Sequence, residues 1–337
     1  MISPSKASER RQKPTSINRK VTGGLVFLGV AITLASCGGS GTLSKFTEFT
    51  IPTANSGPGP IVTGPDGNLW FLEGNAGANK IAKISVNGTI TEYPLPVGTS
   101  FPTALVNGQD GNLWYVDEAT HLGRVTTSGV VTNFLAPVSS SLTVGSDGNL
   151  WVASFNGSVI DVYTTAGAFI HSYAANTSPS SLQLEGITSG PDGNLWFATF
   201  SGGNVVKMTT VGVTTTFNLS ATITNTMRGI TSGSDGNLWI AGEGNNLIAR
   251  VSTSGALTTF VLPTANSGPS GITQSTDGNF WFTENAGNRI GTITPAGVIT
   301  EFTIPTAGAA ATGISAGPDG NIWFTESGSN KIGRFTP

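Results

Sequence analysis

The stretch Asp319-Gly320-Asn321-Ile322-Trp323 occurs seven times in this chain of 337 residues, with one variable large apolar residue before the tryptophan. The copies begin at Asp66, Asp110, Asp147, Asp192, Asp235, Asp277 and Asp319. They contain all seven tryptophans, and successive copies are 44, 37, 45, 43, 42 and 42 residues apart. A period of about 40–45 residues with four short strands per unit is typical of a β-propeller. The repeat therefore predicts an all-β, seven-bladed β-propeller.

The first repeat shows the predicted blade. Short runs at 60–64, 69–73, 80–86 and 89–95 are the predicted strands. The first and last pairs are joined by the hairpin-turn sequences Asp-Gly-Asn and Asn-Gly, and the middle pair by a loop at 74–79. The chain has 46 Gly, 18 Pro and only 10% charged residues, and no run has the apolar spacing of a helix. Four antiparallel strands per blade follow from this pattern. A Ser- and Asn-rich crossover at 174–183 is the expected irregular insertion.

The two ends of the chain complement each other. Residues 45–53 nearly copy residues 299–306, which form the last strand of a blade, but they precede the first complete unit. The final unit stops after 331–335 without a fourth strand. We expect the N-terminal strand to complete the last blade and close the ring, which removes open sheet edges. The propeller domain is accordingly assigned to 44–337.

The first 37 residues have the features of an export signal. Six basic residues precede an apolar or small segment at 21–36, too short for a typical membrane-spanning helix. It ends Leu34-Ala35-Ser36-Cys37-Gly38, which resembles the bacterial lipobox, and Cys37 is the only cysteine. We predict an exported protein of the bacterial cell envelope, lipid-anchored through Cys37, with 38–43 as a flexible tether. An ordinary signal peptide is the alternative.

Removal of this leader makes the protein acidic. Residues 38–337 carry ten basic and eighteen acidic side chains, a net charge of −8. The balance argues against a nucleic-acid partner and favours a cationic ligand or a metal. The membrane contact expected is the lipid anchor alone, and the domain is expected to be a monomer.

The repeated motif has a structural explanation. Asp and Asn can cap the turn, Gly can adopt its positive φ, and Trp can pack between neighbouring sheets. A calcium site is the alternative, but one carboxylate per turn is few for an ion that takes about 6–8 oxygens.

The predicted topology brings two sets of repeat positions to one face of the propeller, near its axis. Seven positions before each repeat Asp lie Gly59, Thr103, Ser140, Glu185, Arg228, Ser270 and Thr312. Three positions after each Trp lie Glu73, Asp117, Ser154, Thr199, Gly242, Glu284 and Glu326. Glu185, Arg228, Ser270 and Thr312 are candidate ligand-binding residues, although Glu185 and Arg228 could form a simple ion pair. Glu73, Glu284 and Glu326 are candidate ligands for Mg²⁺, which typically uses one or two carboxylates.

Residues 38–337 contain two histidines. His121 follows Asp117 in a loop on the expected ligand face and is a candidate base, with Glu284 and Glu326 as further catalytic candidates. His171 falls in an outer strand, where a structural role is expected. The sequence has no nucleophile signature, phosphate loop or Cys/His metal spacing.

The combination of Gly-Ile-Thr, Gly-x-Asp-Gly-Asn-x-Trp-Phe-Thr-Glu, Asn-x-Ile-Gly-x-Ile-Thr and Gly-x-Ile-Thr-Glu-Phe resembles the virginiamycin B lyase (streptogramin lyase) family. The best copies lie at 271–302 and 313–334, and the resemblance covers residues 43–337. It implies a Mg²⁺-dependent enzyme that opens a cyclic depsipeptide antibiotic by elimination. It also implies a histidine base at the start of an inner strand, a second histidine one blade earlier, and carboxylates that hold the metal.

The implied histidines are absent from this chain. Matched in blade order, the family carboxylate falls on Glu326, the base on Thr312, the earlier histidine on Ser270 and a further acidic position on Ala310. Matched one blade earlier, these four positions are Glu284, Ser270, Arg228 and Gly268. The sequence thus favours a non-enzymatic binding module with an acidic pocket. A lyase with a different base and a metal-dependent, lactonase-like hydrolase are the alternatives.

Overall fold

The computed structural model describes Met1 and residues 45–75, 77–154, 159–175, 184–200, 203–223 and 226–337. These residues form seven four-stranded antiparallel sheets, each with its strands in radial order. The predicted leader at 1–37, Cys37, the tether at 38–43 and most of the predicted insertion at 174–183 fall outside the described residues. Among the residues described, no helix has the length and apolar character to cross a membrane.

Each blade takes one strand from each of four sets. The innermost strands are β2 (Pro58–Thr63), β6 (Pro102–Asn107), β10 (Ser139–Val144), β14 (Leu184–Ser189), β18 (Ile230–Ser232), β22 (Pro269–Gln274) and β26 (Ala311–Ala316). The second strands are β3 (Leu69–Glu73), β7 (Leu113–Asp117), β11 (Leu150–Ser154), β15 (Leu195–Thr199), β19 (Asn237–Gly242), β23 (Phe280–Glu284) and β27 (Ile322–Glu326). The third strands are β4 (Lys80–Ile84), β8 (His121–Val125), β12 (Val159–Tyr163), β16 (Asn204–Met208), β20 (Leu247–Ser252), β24 (Arg289–Ile293) and β28 (Lys331–Phe335). The outer strands are β5 (Ile90–Pro94), β9 (Val131–Leu135), β13 (Phe169–Ala174), β17 (Thr214–Asn218), β21 (Leu257–Val261), β25 (Ile299–Thr303) and β1 (Phe46–Thr50).

The ring closes as the sequence predicts. Strand β1 pairs antiparallel with β28, from Phe46 opposite Phe335 to Thr50 opposite Lys331. Phe49 of β1 also stacks on Trp323 of blade 7, with ring centroids 5.6 Å apart. The N-terminal strand therefore contributes both backbone pairing and aromatic packing to the final blade.

The repeated motif forms a compact turn around each tryptophan. In the first copy, Asp66 Oδ1 accepts hydrogen bonds from the backbone N–H of Asn68 at 3.3 Å and from the indole N–H of Trp70 at 2.9 Å. A Cβ on Gly64 would lie 2.4 Å from the Trp70 ring, so this close approach requires glycine. The aspartate thus holds the tryptophan as well as capping the turn.

The sixth copy is an exception with a local cause. Ser275 stands where the other copies have glycine, two positions before the aspartate, and its hydroxyl donates to Asp277. Among the residues that the structure describes, the buried indole N–H of Trp281 has no hydrogen-bond partner. One side-chain substitution has therefore removed the aspartate–tryptophan bond from this blade.

The core lies between the blades. Seven apolar clusters alternate around the ring, and the cluster between blades 7 and 1 contains Trp323, Ile61, Phe71 and Ile332. Each tryptophan stacks on an aromatic ring of its own outer strand: Trp70 on Tyr93, Trp114 on Phe134, Trp151 on Tyr173, Trp196 on Phe217, Trp239 on Phe260, Trp281 on Phe302 and Trp323 on Phe49. Packing between sheets holds the inner strands, and the loops at their ends, in fixed positions.

Candidate functional site

A cavity of about 520 Å³ lies where the seven inner strands begin. It is lined by all seven residues that precede the repeat aspartates by seven positions: Gly59, Thr103, Ser140, Glu185, Arg228, Ser270 and Thr312. The candidate ligand-binding residues Glu185, Arg228, Ser270 and Thr312 are thus brought together. We call this space the axial cavity.

Apolar side chains also line the axial cavity. They include Ile61, Leu105, Ile230, Ile272 and Ile314, which follow the first ring of residues by two positions. These residues were not predicted as site residues, although every repeat has Ile or Leu at this position. Polar groups above an apolar layer are typical of a small-molecule site.

Arg228 is the main charged group of the cavity wall. Its Nη1 donates to Glu185 Oε1 and its Nε donates to Glu243 Oε2, each at 2.7 Å. The guanidinium also lies 5.6 Å from the ring centroid of Phe200. The sequence predicted the ion pair between Arg228 and Glu185 as one alternative. It did not predict the contact with Glu243, because Glu243 lies in the 3₁₀ turn Glu243–Asn245, outside the two sets of repeat positions.

The two members of the Glu185–Arg228 pair respond differently to burial. Burial raises the pKa of Glu185 above its ordinary value, against the opposing charge of Arg228. Burial acts to lower the pKa of Arg228, but the two carboxylates together raise it. Glu185 has one cationic partner and is the more enclosed, with 17% of its side chain exposed against 39% for Arg228. The cluster of two carboxylates and one guanidinium is acidic, and Glu118 on the cavity wall adds to this charge.

The hydroxyl groups of the ring divide into two kinds. Thr103 donates to the backbone carbonyl of Ser139 at 3.1 Å, and Ser140 donates to that of Leu184 at 2.6 Å, so both join neighbouring blades. In blades 6 and 7 this bond is made by Thr283 and Thr325 of the second strand, at 2.8 Å each. Ser270 is thereby released from this structural role and is available to a ligand.

The candidate metal ligands Glu73, Glu284 and Glu326 do not line the axial cavity. Each is fully buried at the end of a second strand, in a different blade. Within the described part of the chain, the carboxyl oxygens of Glu73 and Glu284 have no hydrogen-bond partner, whereas Glu326 Oε2 accepts a bond from Ser329 at 2.6 Å. Burial raises the pKa of all three carboxyl groups to about 7, and the nearby carboxylates of Glu92, Glu301 and Glu48 contribute.

This arrangement does not fit a metal ion shared by the three glutamates. Each one faces a cation of its own blade, namely Lys80, Arg289 or Lys331. Within the described ranges, no group of three or more His, Cys, Asp or Glu side chains is placed to hold a metal. The expected Mg²⁺ stays a prediction.

His121 is held by a buried carboxylate. Its Nδ1 lies 2.8 Å from Asp117 Oδ2, and Asp117 is fully buried at the end of β7. Asp117 also accepts backbone N–H bonds from Ser100, Ala119 and His121. His121 is the first residue of strand β8 rather than part of a loop, and it is not part of the lining of the axial cavity. His171 instead packs against Tyr173 in the outer strand β13, with ring centroids 4.4 Å apart.

Comparison with known proteins identifies the family to which this propeller belongs. The model of the Virginiamycin B lyase family matches residues 8–175 and 138–337. The chain belongs to the virginiamycin B lyase family. A search of curated proteins returned no match.

Solved structures agree with this family assignment. A streptogramin B lyase has 30% sequence identity and a TM-score of 0.80, over 86% of this chain and 97% of the relative. Virginiamycin B lyase from Staphylococcus aureus has 31% identity and a TM-score of 0.79, over 87% of this chain and 99% of the relative. A catalytically inactive His-to-Ala variant of that enzyme, solved with quinupristin, has 31% identity and a TM-score of 0.78, over 87% and 99% of the two chains.

Proposed function

We propose that this family member is a ligand-binding propeller whose axial cavity takes a neutral or cationic small molecule. The observation that carries the proposal is the convergence of seven repeat positions on one cavity without a histidine among them. A general base with a suitable pKa typically contributes about 10²–10⁴-fold to a proton abstraction. Neither Ser270 nor Thr312 supplies such a group unaided.

The charge and shape of the cavity support this ligand class. Arg228 is already engaged by two carboxylates, so an added anion would compete with Glu185 and Glu243. Glu118 is exposed on the wall and would attract a cationic group. The apolar layer gives the ligand a surface on which to bury carbon groups.

The test is isothermal titration of the purified protein with quinupristin, a type B streptogramin. Ser270→Phe fills the cavity at a hydroxyl that makes no bond to the described residues, and Thr132→Phe adds the same ring to the exposed outer strand β9 as a control. We expect the wild type and Thr132→Phe to bind, and Ser270→Phe to lose at least about tenfold in affinity, about 1.4 kcal/mol. If the wild type does not bind quinupristin, the proposal is refuted for type B streptogramins.

A second candidate is a lyase in which His121 is the base. The observation in its favour is the 2.8 Å contact with Asp117, because a carboxylate orients an imidazole and stabilises its protonated form. Elimination would convert quinupristin into an isomer of unchanged mass, whereas a lactonase-like hydrolysis would add one water. Liquid chromatography with mass spectrometry distinguishes both products from unchanged substrate. Loss of the isomer in His121→Gln, with binding retained, would establish the lyase and displace the binding proposal.

A further inference from the structure

Phe101 has a backbone conformation that large side chains rarely adopt. Its φ is +44°, in the left-handed region, where the Cβ crowds the backbone. The same position of the crossover loop is Gly57 before blade 1, with φ +60°, and Gly268 before blade 6, with φ +65°. The loop therefore requires a left-handed residue here, and Phe101 adopts that conformation in spite of its side chain.

Burial in the core does not account for Phe101, because 47% of the residue is exposed. Backbone strain of this kind clusters at functional sites, where surrounding structure enforces it. Phe101 lies next to residues of the axial cavity. Its carbonyl accepts the N–H of Glu118 at 3.2 Å, and it precedes Thr103 by two residues. Glu118 and Thr103 both line the axial cavity, so Phe101 lies at its rim.

Blade 2 holds its crossover loop by a different polar contact from the one found in blades 1, 6 and 7. In blade 1, Thr53 donates both its N–H and its hydroxyl to Glu92 of the outer strand, each at 2.9 Å. Glu301 and Glu48 accept the same two bonds in blades 6 and 7. In blade 2, Val97 and Asn133 occupy the positions of this threonine and glutamate, and Asn133 donates instead to the hydroxyl of Thr99, at 3.1 Å. The change from polar to apolar leaves Val97 fully exposed.

His121 and Leu135 continue this surface outward. They are cross-strand partners in β8 and β9, and Leu135 is 81% exposed. The Cε1 of His121 lies 3.8 Å from the position of a Cβ on Gly98, next to Val97. The Asp117 carboxylate binds Nδ1, which leaves Nε2 to make a hydrogen bond with another group. Val97, Phe101, His121 and Leu135 together form what we call the blade-2 shelf.

We propose that the blade-2 shelf is a binding subsite continuous with the axial cavity. It takes an aromatic or aliphatic group of the same small molecule whose polar part occupies the cavity, and His121 Nε2 makes a hydrogen bond with that molecule. The inference rests on the proposed function and narrows its ligand to an amphipathic molecule larger than the cavity. An exposed aromatic ring held rigidly at a cavity rim is suited to stacking on such a group.

The test compares two glycine substitutions at the same repeat position. Phe101→Gly removes the ring and relieves the left-handed strain, and Ala310→Gly relieves the same strain in blade 7, where φ is +46° and no ring is present. We expect both variants to melt about 1–2 °C above the wild type. In titrations with quinupristin, we expect Phe101→Gly alone to lose at least about fivefold in affinity, the worth of a well-placed aromatic pair.

The possible results separate the shelf from the cavity. If Phe101→Gly binds as tightly as the wild type while Ser270→Phe does not bind, the shelf is refuted and the proposed function stands. If the wild type does not bind, both fail. If Phe101→Gly melts below the wild type while Ala310→Gly melts above it, packing rather than ligand contact explains Phe101, and the inference is overturned.

Discussion

The buried glutamates Glu73, Glu284 and Glu326 predict an unusual dependence of stability on pH. Replacing all three by glutamine imitates their protonated form without the ability to ionise. Each carboxyl group is fully buried and has a pKa raised by burial from 4.5 to about 7. The folded protein therefore holds protons on these groups that the unfolded chain releases above a pH of about 4.5.

The sign and size of the effect follow from this difference. Between about pH 4.5 and 7 the folded state binds more protons, so the free energy of unfolding falls as pH rises. A rise from 4.5 to about 7 corresponds to at most about 3–4 kcal/mol per group at about 1.4 kcal/mol per pH unit. Water entry and side-chain rearrangement reduce this, and we expect a loss of about 1–2 kcal/mol per glutamate between pH 5 and pH 8.

Each of the three buried glutamates lies near one other carboxylate and one cation. Glu73 faces Glu92 and Lys80, Glu284 faces Glu301 and Arg289, and Glu326 faces Glu48 and Lys331. Glu48 and Glu92 have pKa values lowered by hydrogen bonds and by lysine, which outweigh burial, so they act in the opposite sense and at lower pH. Their stabilisation is present above about pH 4.5 and is lost as pH falls further.

The assay is urea unfolding at pH 5, 6, 7 and 8, followed by tryptophan fluorescence. We expect the wild type to lose stability over this range, and the triple glutamine variant to change much less and to be the more stable at pH 8. Glu118→Gln, which removes an exposed carboxylate, is the control and should follow the wild type. Equal pH dependence in the wild type and the triple variant would refute the reasoning.

Two further predictions concern the repeat and the ring closure. Ser275→Gly should restore the bond between Asp277 and Trp281 and stabilise the protein by about 1 kcal/mol, while Gly317→Ser should destabilise blade 7. Urea unfolding measures both, and an unchanged or lower stability of Ser275→Gly would contradict the role assigned to the glycine. Deletion of residues 1–51 removes β1 and should lower the melting temperature by at least about 10 °C relative to deletion of residues 1–43, because β28 and Trp323 lose their pairing and stacking partners. Similar melting of the two truncated chains would mean that β1 does not stabilise the ring.

The strand limits show how closely local sequence determines a blade. The third strand of blade 1 was predicted at 80–86 but ends at Ile84, because Ser85 and Thr89 close the hairpin around Gly88, whose φ is +89°. The inner strand was predicted from residue 60 but begins at Pro58, opposite Glu73. These shifts of two residues leave the blade, its turns and its order unchanged, since repeat spacing and turn residues define them.

The sequence by itself determined the number of blades, the closure by residues 45–51 and the ring of positions that lines the axial cavity, because each depends only on the period and direction of the strands. The tertiary structure decided which side chains of that face meet. It separated Glu73, Glu284 and Glu326 from the cavity, added Glu243 to Arg228, and placed Phe101 in a strained conformation at the rim. A repeat fixes where a residue lies within its blade. Burial, pairing and strain depend on the neighbouring blade and on loops outside the repeat, which are brought together only when the ring has formed.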